Sequence, residues 1–373
     1  MIPKDPEITL DVESSVSPEA AGDWKFHHWG HCLHVEGDDG KEYWIDCNLA
    51  AFGSKGAFAD MGFGATDMWM LAVRSERGSV LQSTTSIYKI ADFRTNSVIS
   101  FFPYPENTIE IARSGNDVTV SLGDCRVVCK DDKTWHVMMD DKDNGRVLEF
   151  VHSGIGYPFW YGKEEPHVFT PHTIGWGYFL PGEIEGTLTV GGRKVKIRGK
   201  GVRERCWIQD QSMAEVGAYG DEIWFHFDEM HGVIYDVRFS NEKNMSLYLI
   251  DEQEYYPAGN FNVEHHDWAY LRTMRSFIPT RFKVTVETDG GTLEFLARVV
   301  GCNVFGGEGV APDIPTWVMD FDQLVGTFTY KDGRKKTLTN GIGGNAGQQW
   351  RPYPSVFAPD IFSEDAPVIP ALD

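Results

Sequence analysis

The sequence predicts an all-β chain: two consecutive antiparallel β-barrels or curled sandwiches packed together, with few short helices. Three observations carry this. Turn signals recur about every eight to fourteen residues, at Asp38-Asp39-Gly40, Ser114-Gly115-Asn116, Asp143-Asn144-Gly145, Gly191-Gly192, His231-Gly232, Asp289-Gly290-Gly291 and Asp332-Gly333, and such pairs supply the positive φ of tight hairpins. The runs between them alternate or are β-branched and aromatic: Thr187–Val190, Lys194–Ile197, Ile223–Phe227, Val233–Phe239, Arg281–Glu287 and Thr327–Tyr330. The order of segments is also alike in the two halves. A Trp-rich opening strand lies at Trp24–Asp46 and again at Trp224–Phe239, and a closing hairpin at Gly186–Trp207 and again at Gly326–Leu338.

The elements follow in order. Residues 1–20, polar and acidic with Pro3, Pro6 and Pro18, read as a flexible arm. Residues 21–207 form the first β domain and 208–350 the second, with 210–219 and 264–275 as candidate short helices. Residues 341–347 (GIGGNAG) read as a loop, and 351–373, rich in proline and acids, as a tail. A length of 373 residues fits two domains and buries a sizeable core.

Charge and composition exclude several classes. Lys+Arg total 34 and Asp+Glu 55, a net charge of −21, which disfavours phosphate backbones and anionic lipid surfaces as partners. No apolar run is long enough to span a bilayer as a helix, and Met1–Val12 carries no basic head with an apolar run. Cys32, Cys47, Cys125, Cys129, Cys206 and Cys302 make no metal knuckle, and all six are expected reduced in a cytoplasmic protein. No phosphate-cradling loop, dinucleotide fingerprint or Gly-x-Ser-x-Gly elbow occurs. No cofactor is expected, and a homodimer is compatible with this reading without being required by it.

The densest chemistry lies in Tyr178–Trp207. On a strand, Arg203, Arg205 and Trp207 share one face, and Val202, Glu204 and Cys206 the other. A buried carboxylate among arginines must be paired. Glu204 is therefore either a general acid or base tuned by burial and by Arg203 or Arg205, or part of a salt-bridge cluster that only fixes the hinge between domains.

This stretch resembles the closing motif of the first domain in the lipocalin-like hydratase family that includes carotenoid 1,2-hydratase, kievitone hydratase and the AttH-like proteins; fungal Diels–Alder cyclases are similar in build. The residues that carry the resemblance are Tyr178, Pro181, Gly186-Thr187-Leu188, Gly199, Gly201, Glu204, Arg205 and Trp207. Trp24, Trp29-Gly30-His31, Asp39-Gly40 and Tyr43 resemble the family's first hairpin, and Phe321–Gly341 its last. The chain departs from the motif at Val202, Glu204 and Cys206, where the family has Trp, Asp and Glu. The resemblance implies two lipocalin-like barrels and cofactor-independent lyase, hydratase or isomerase chemistry.

The histidines of the opening strand divide by parity: His28 and His34 on one face, His27 and His31 on the other with Trp29. Two same-face histidines four residues apart are ~13 Å apart, too far to ligate one metal, so no metal is expected. His31, beside Trp29 and Tyr43, and His226, beside Trp224, are the candidate proton carriers, the alternative for each being a satisfied core or rim histidine. Phe159-Trp160-Tyr161 and Trp176, Tyr178 and Phe179 either line an apolar pocket or simply fill a barrel.

Together these readings give an enzyme acting by acid–base chemistry on an apolar small molecule (terpenoid, steroid, polyketide or lignin-derived aromatic) in a pocket between the domains. Glu204, Arg203, Arg205, His226 and His31 carry the chemistry; Trp29, Tyr43, Trp176, Tyr178, Trp207 and Trp224 shape the pocket. The alternative is a non-catalytic carrier of a hydrophobic ligand.

Overall fold

The computed structural model describes residues 8–15, 25–55, 64–75, 97–130, 132–162, 166–170, 173–210, 219–237, 243–271, 276–305 and 316–349. They form two curled antiparallel sheets of lipocalin-like type. Two compact units are distinguished, the first comprising the described residues of 1–76, 96–214 and 248–257, the second those of 215–247 and 258–373.

The first sheet begins with β1 (Lys25–Gly37), β2 (Glu42–Phe52), β3 (Thr66–Arg74) and β4 (Ser97–Pro105). It continues through β5 (Glu110–Ser114), β6 (Asp117–Leu122), β7 (Cys125–Lys130), β8 (Thr134–Asp141) and β9 (Arg146–Gly154). Two short strands, β10 (Phe159–Tyr161) and β11 (His167–Thr170), pair with the long β12 (Thr173–Val190), which precedes β13 (Arg193–Asp210). The strand order is β4-β3-β2-β1-β13-β12-β9-β8-β7-β6-β5. Hairpins build most of the arms, β12 returns to pair with β9, and the longest-range pairing joins the arms: β1 lies antiparallel to β13, from Lys25↔Gln209 to Gly37↔Ile197.

Burial alternates along β6, β8 and β9, so one face of each strand enters the core. That core includes Trp29, Leu33, Ile45, Leu71, Val120, Trp135, Leu148, Tyr178 and Leu180. Each such side chain contributes roughly 1.5–3 kcal/mol on burial. On β2 and β3 both faces are buried: Ala50, Met68, Met70 and Ala72, on the opposite face, are as inaccessible as Leu49 and Leu71. Strands buried on both faces hide the alternation that a half-solvated sheet displays.

The second sheet repeats the plan. Its strands are β14 (Tyr219–His226), β15 (Met230–Val237), β16 (Lys243–Leu249), β17 (Glu254–Tyr256), β18 (Asn260–Leu271), β19 (Ser276–Glu287), β20 (Gly291–Phe305), β21 (Thr316–Tyr330) and β22 (Lys335–Gln349). The order is β17-β16-β15-β14-β22-β21-β20-β19-β18. Again the opening strand, β14, lies against the last strand of the closing hairpin, β22. The likeness of the two halves in sequence is thus a likeness of topology.

Four expectations need correction. Residues 264–271 are not helical but belong to β18, where His265 sits opposite Phe282 with their rings 5.2 Å apart, a cross-strand contact of period two. The glycine-rich 341–347 is strand rather than loop. A Cβ on Gly343 would stand 2.4 Å from the Trp224 carbonyl oxygen, so glycine is what lets β22 approach β14. His231-Gly232 lies inside β15, the turn preceding it. The N-terminal arm is not uniformly loose: Leu10–Ser14 form a helix, α1, capped by Thr9 and docked on β6 and β7. Of the candidate helix 210–219, residues 211–218 lie outside the described residues, as does the tail 351–373. Cys32, Cys47, Cys125, Cys129 and Cys206 are free thiols.

Candidate active site

The β1–β13 ribbon has two chemically different faces. In its register Trp29 pairs with Arg205, Gly30 with Glu204, His31 with Arg203 and His28 with Cys206. Period-two alternation sends Trp29, His31, Arg203 and Arg205 to the inner face and His28, Glu204 and Cys206 to the outer.

The inner face answers the pairing question in an unexpected way: the carboxylate among the arginines is Glu13. Helix α1 carries it into the sheet's interior, where its side chain is 1% exposed. Arg203 Nη2 donates to Glu13 Oε2 at 2.9 Å, the Cys129 thiol donates to the same oxygen at 3.2 Å, and the Tyr178 hydroxyl donates to Oε1. Burial alone would raise the Glu13 pKa, but Arg203, the Tyr178 hydroxyl and Arg205 outweigh it and hold the carboxyl below its ordinary value. The same burial, with the Glu13 charge beside it, drives the Tyr178 hydroxyl and Cys129 thiol well up, so both remain protonated donors.

Arg205 lies between two indoles, 3.9 Å from the Trp29 ring centre and 4.2 Å from that of Trp207. It donates to the Ser15 carbonyl at 2.9 Å, as does the Trp207 indole N–H, while the Trp29 indole reaches the Glu13 carbonyl at 3.2 Å. Desolvation lowers its pKa to about 10, still charged at neutral pH. The inner face is therefore a closed ionic cluster.

The outer face is different. His28 Nδ1 stands 3.4 Å from Glu204 Oε2, with the two side chains 15% and 23% exposed. Gly30 makes this contact possible. Its absent side chain leaves the space in which the His28 ring lies along the strand, and a Cβ there would fall 2.2 Å from His28 Cε1. Beside the pair, Phe26 stacks on His28 at 5.9 Å and packs with Ala50, Phe52 and Met68 in a small apolar cluster. Desolvation raises the Glu204 pKa to about 7, with Arg203 opposing the rise. Desolvation, then Arg203 and Arg205, lowers His28 to about 3. The pair thus sets a carboxyl that holds its proton well above the ordinary carboxylate range beside a neutral imidazole. Arg203 reaches Glu204 only through the backbone, donating to its carbonyl at 2.9 Å. With Cys206, the pair also offers donor atoms within 4.8 Å of one another, the positions a cation would use if one bound here.

The remaining predicted residues fall elsewhere. His31 is buried on the inner face, against Phe150 at 5.3 Å and His152 at 5.4 Å, not beside Tyr43. Tyr43 pairs with Val35, five positions along β1 from Gly30 and so ~16 Å away, and its hydroxyl donates to Asp39 at 2.8 Å. Trp176 lies opposite Trp207 and is partly buried. His226 and Trp224 belong to β14 in the second unit, where the His226 ring sits 5.6 Å from that of His231. Sequence reasoning missed Glu13 and did not assign His28 a role. For Glu13 the one local signal is the helix cap at Thr9; for His28 it is the shared parity with Glu204 across a pairing that the sequence does not reveal.

Fold and site together define a two-unit, lipocalin-like β protein in which the pairing of β1 with β13 gathers buried ionisable groups in the first sheet. Solved structures share this fold. An AttH protein from Nitrosomonas europaea superposes with a TM-score of 0.59 at 12% identity, over 94% of this chain and 99% of that one. Kievitone hydratase from Nectria haematococca gives 0.54 at 9% identity, over 93% and 97%. CghA with Sch210972 gives 0.56 at 11%, over 90% and 94%. The fold expected from the resemblance is therefore the one observed, and it includes a hydratase. No protein-family model and no curated protein matches the chain. No described helix is long and apolar enough to cross a membrane.

Proposed function

We propose that the protein is a hydratase- or cyclase-like enzyme of lyase or isomerase type, acting by acid–base chemistry on an apolar small molecule such as a terpenoid, steroid, polyketide or lignin-derived aromatic. One observation carries the reading: a carboxyl raised to about 7 stands 3.4 Å from an imidazole lowered to about 3, on a partly accessible ledge walled by Phe26. A general acid must hold its proton near the working pH and release it to a poor base, and Glu204 fits that demand. Kinship of fold with kievitone hydratase agrees with it.

In the hydration direction, protonated Glu204 gives its proton to one carbon of a double bond. Water adds to the other carbon, and the proton that water sheds passes to His28 and back to the Glu204 carboxylate. The balance is one C=C and one water consumed, one C–H and one C–OH formed. In an isomerisation the same carboxyl returns as the base that takes a neighbouring C–H proton. Arg203, Arg205 and Trp29 are positioning residues that fix the ribbon from its inner face.

The test is Glu204→Gln, assayed on a panel of polycyclic and isoprenoid substrates with and without chelator. Turnover is expected to fall by roughly 10²–10⁴. Wild-type activity is expected to decline above pH 7 as Glu204 loses its proton, and to be insensitive to chelation. Wild-type turnover in the variant would overturn the assignment. Binding of an apolar ligand by both proteins, with no conversion by either, would establish the carrier instead.

A further inference from the structure

The inner face of the first unit holds a group that the outer-face chemistry does not use. Three donors from three strands converge on one point: the Cys129 thiol of β7, the Tyr178 hydroxyl of β12 and the Arg203 guanidinium of β13. All three residues are fully buried, at 0% exposure. What they bind is not part of the sheet. Glu13 arrives on α1, a helix of five residues, far shorter than the roughly 12–15 needed to persist alone. Ile8, Leu10 and Val12 of that segment pack on the core as partly buried side chains, whereas the donors stand on strands locked into the sheet.

The arrangement therefore divides into a rigid receptor and a short tethered ligand. We propose that Cys129, Tyr178 and Arg203 form a carboxylate-binding site in the interior of the first unit, filled in cis by Glu13, and that a free monocarboxylate occupies it when Glu13 is removed. The chemistry is specific to a planar, monoanionic acceptor. A guanidinium and a thiol share one oxygen, a phenol takes the other, and Arg203 Nη1 is already engaged by the Gly30 and Glu204 carbonyls. The indole of Trp135, whose ring centre is 5.9 Å from the guanidinium carbon, and the Trp29 and Leu180 side chains give the site an apolar wall. Among the described residues, Arg203 Nε, Trp135 Nε1 and both ring nitrogens of His31 find no hydrogen-bond partner. A tethered group competes at an effective concentration in the millimolar range, so added carboxylates reach the site only weakly in the wild-type chain.

The experiment is chemical complementation in the full-length protein. Glu13→Ala keeps Cβ and deletes a fragment equal to acetate. Thermal unfolding of wild type and variant is followed in sodium acetate, with sodium chloride at equal ionic strength as control. The variant is expected to melt roughly 6 °C or more below wild type in chloride, from loss of one partner of a buried ion pair. Acetate is expected to restore at least half of that deficit in a saturable manner, while the wild type gains nothing beyond its response to chloride. Adding Arg203→Met to the variant is expected to abolish the acetate effect. A variant that responds alike to acetate and chloride would overturn the site. If Glu13→Ala is recovered only as unfolded chain, refolding yield in acetate against chloride decides the same question, equal yields counting against it.

Discussion

Glu13 and Glu204 face each other across the thickness of one ribbon, and they could hardly be treated more differently. Glu13 is more deeply buried, yet its carboxyl is held below the ordinary value because a guanidinium, a phenol and a thiol meet it. Glu204 is partly exposed, yet desolvation raises its carboxyl to about 7 against the opposing charge of Arg203, and the imidazole beside it brings no charge to hold it down. Depth alone does not set acidity; the number of donors that follow the carboxylate into the interior does. One face has been built to keep a charge and the other to keep a proton.

The largest effect should come from breaking the inner face. Arg203→Met leaves the Glu13 carboxylate buried without its cation and is expected to cost on the order of 3–5 kcal/mol, read by urea unfolding. A surface-like loss below about 1 kcal/mol would show that Glu13 simply leaves.

The pH dependence of stability sharpens the contrast. The folded state keeps the Glu204 proton up to about 7, whereas the unfolded chain releases it near 4.5, so this group makes stability fall as pH rises through that window. His28, His152 and His167 act oppositely. Their folded values near 3, 3 and 4 lie below the ordinary 6.5, so the unfolded chain takes up protons that the native state refuses, and stability falls as pH drops below 6.5. Three imidazoles outweigh one carboxyl, so the protein should lose stability on acidification. Glu204→Gln should gain on wild type between pH 4.5 and 7, by on the order of 3 kcal/mol at most, in paired unfolding curves. A pH-independent difference would remove the raised carboxyl from the account.

The smallest effect tests the spacer. Gly30→Ala should displace the His28 ring, lowering turnover by up to about 10²-fold with a stability change of about 1 kcal/mol. Unchanged turnover would mean that the His28 contact is incidental to the chemistry.

The particular residues show where sequence reasoning carries and where it stops. The opposite facing of Arg203 and Glu204 follows from a period of two, which nothing in the tertiary structure can alter once the strand forms. The topological repeat was visible because both halves open on aromatic strands and close on a glycine-marked hairpin. The partner of Arg203 was not visible, because Glu13 lies 190 residues earlier in a segment whose acids and prolines read as solvated. His28 failed for a related reason: its meeting with Glu204 depends on which residue of β1 faces which residue of β13, and no local pattern encodes that register. The glycines of β22 misled because a loop and a crowded backbone call for the same residue.

The pairing of the first strand with the last has a consequence for biosynthesis. Lys25 finds Gln209, and Glu13 finds Arg203, only after more than two hundred residues have been synthesised. Until then Glu13 lacks the guanidinium it binds, and the edge of β1 has no neighbour on that side. Pairing of β1 with β13 is thus a late and slow event, governed by long-range search rather than by local hairpins.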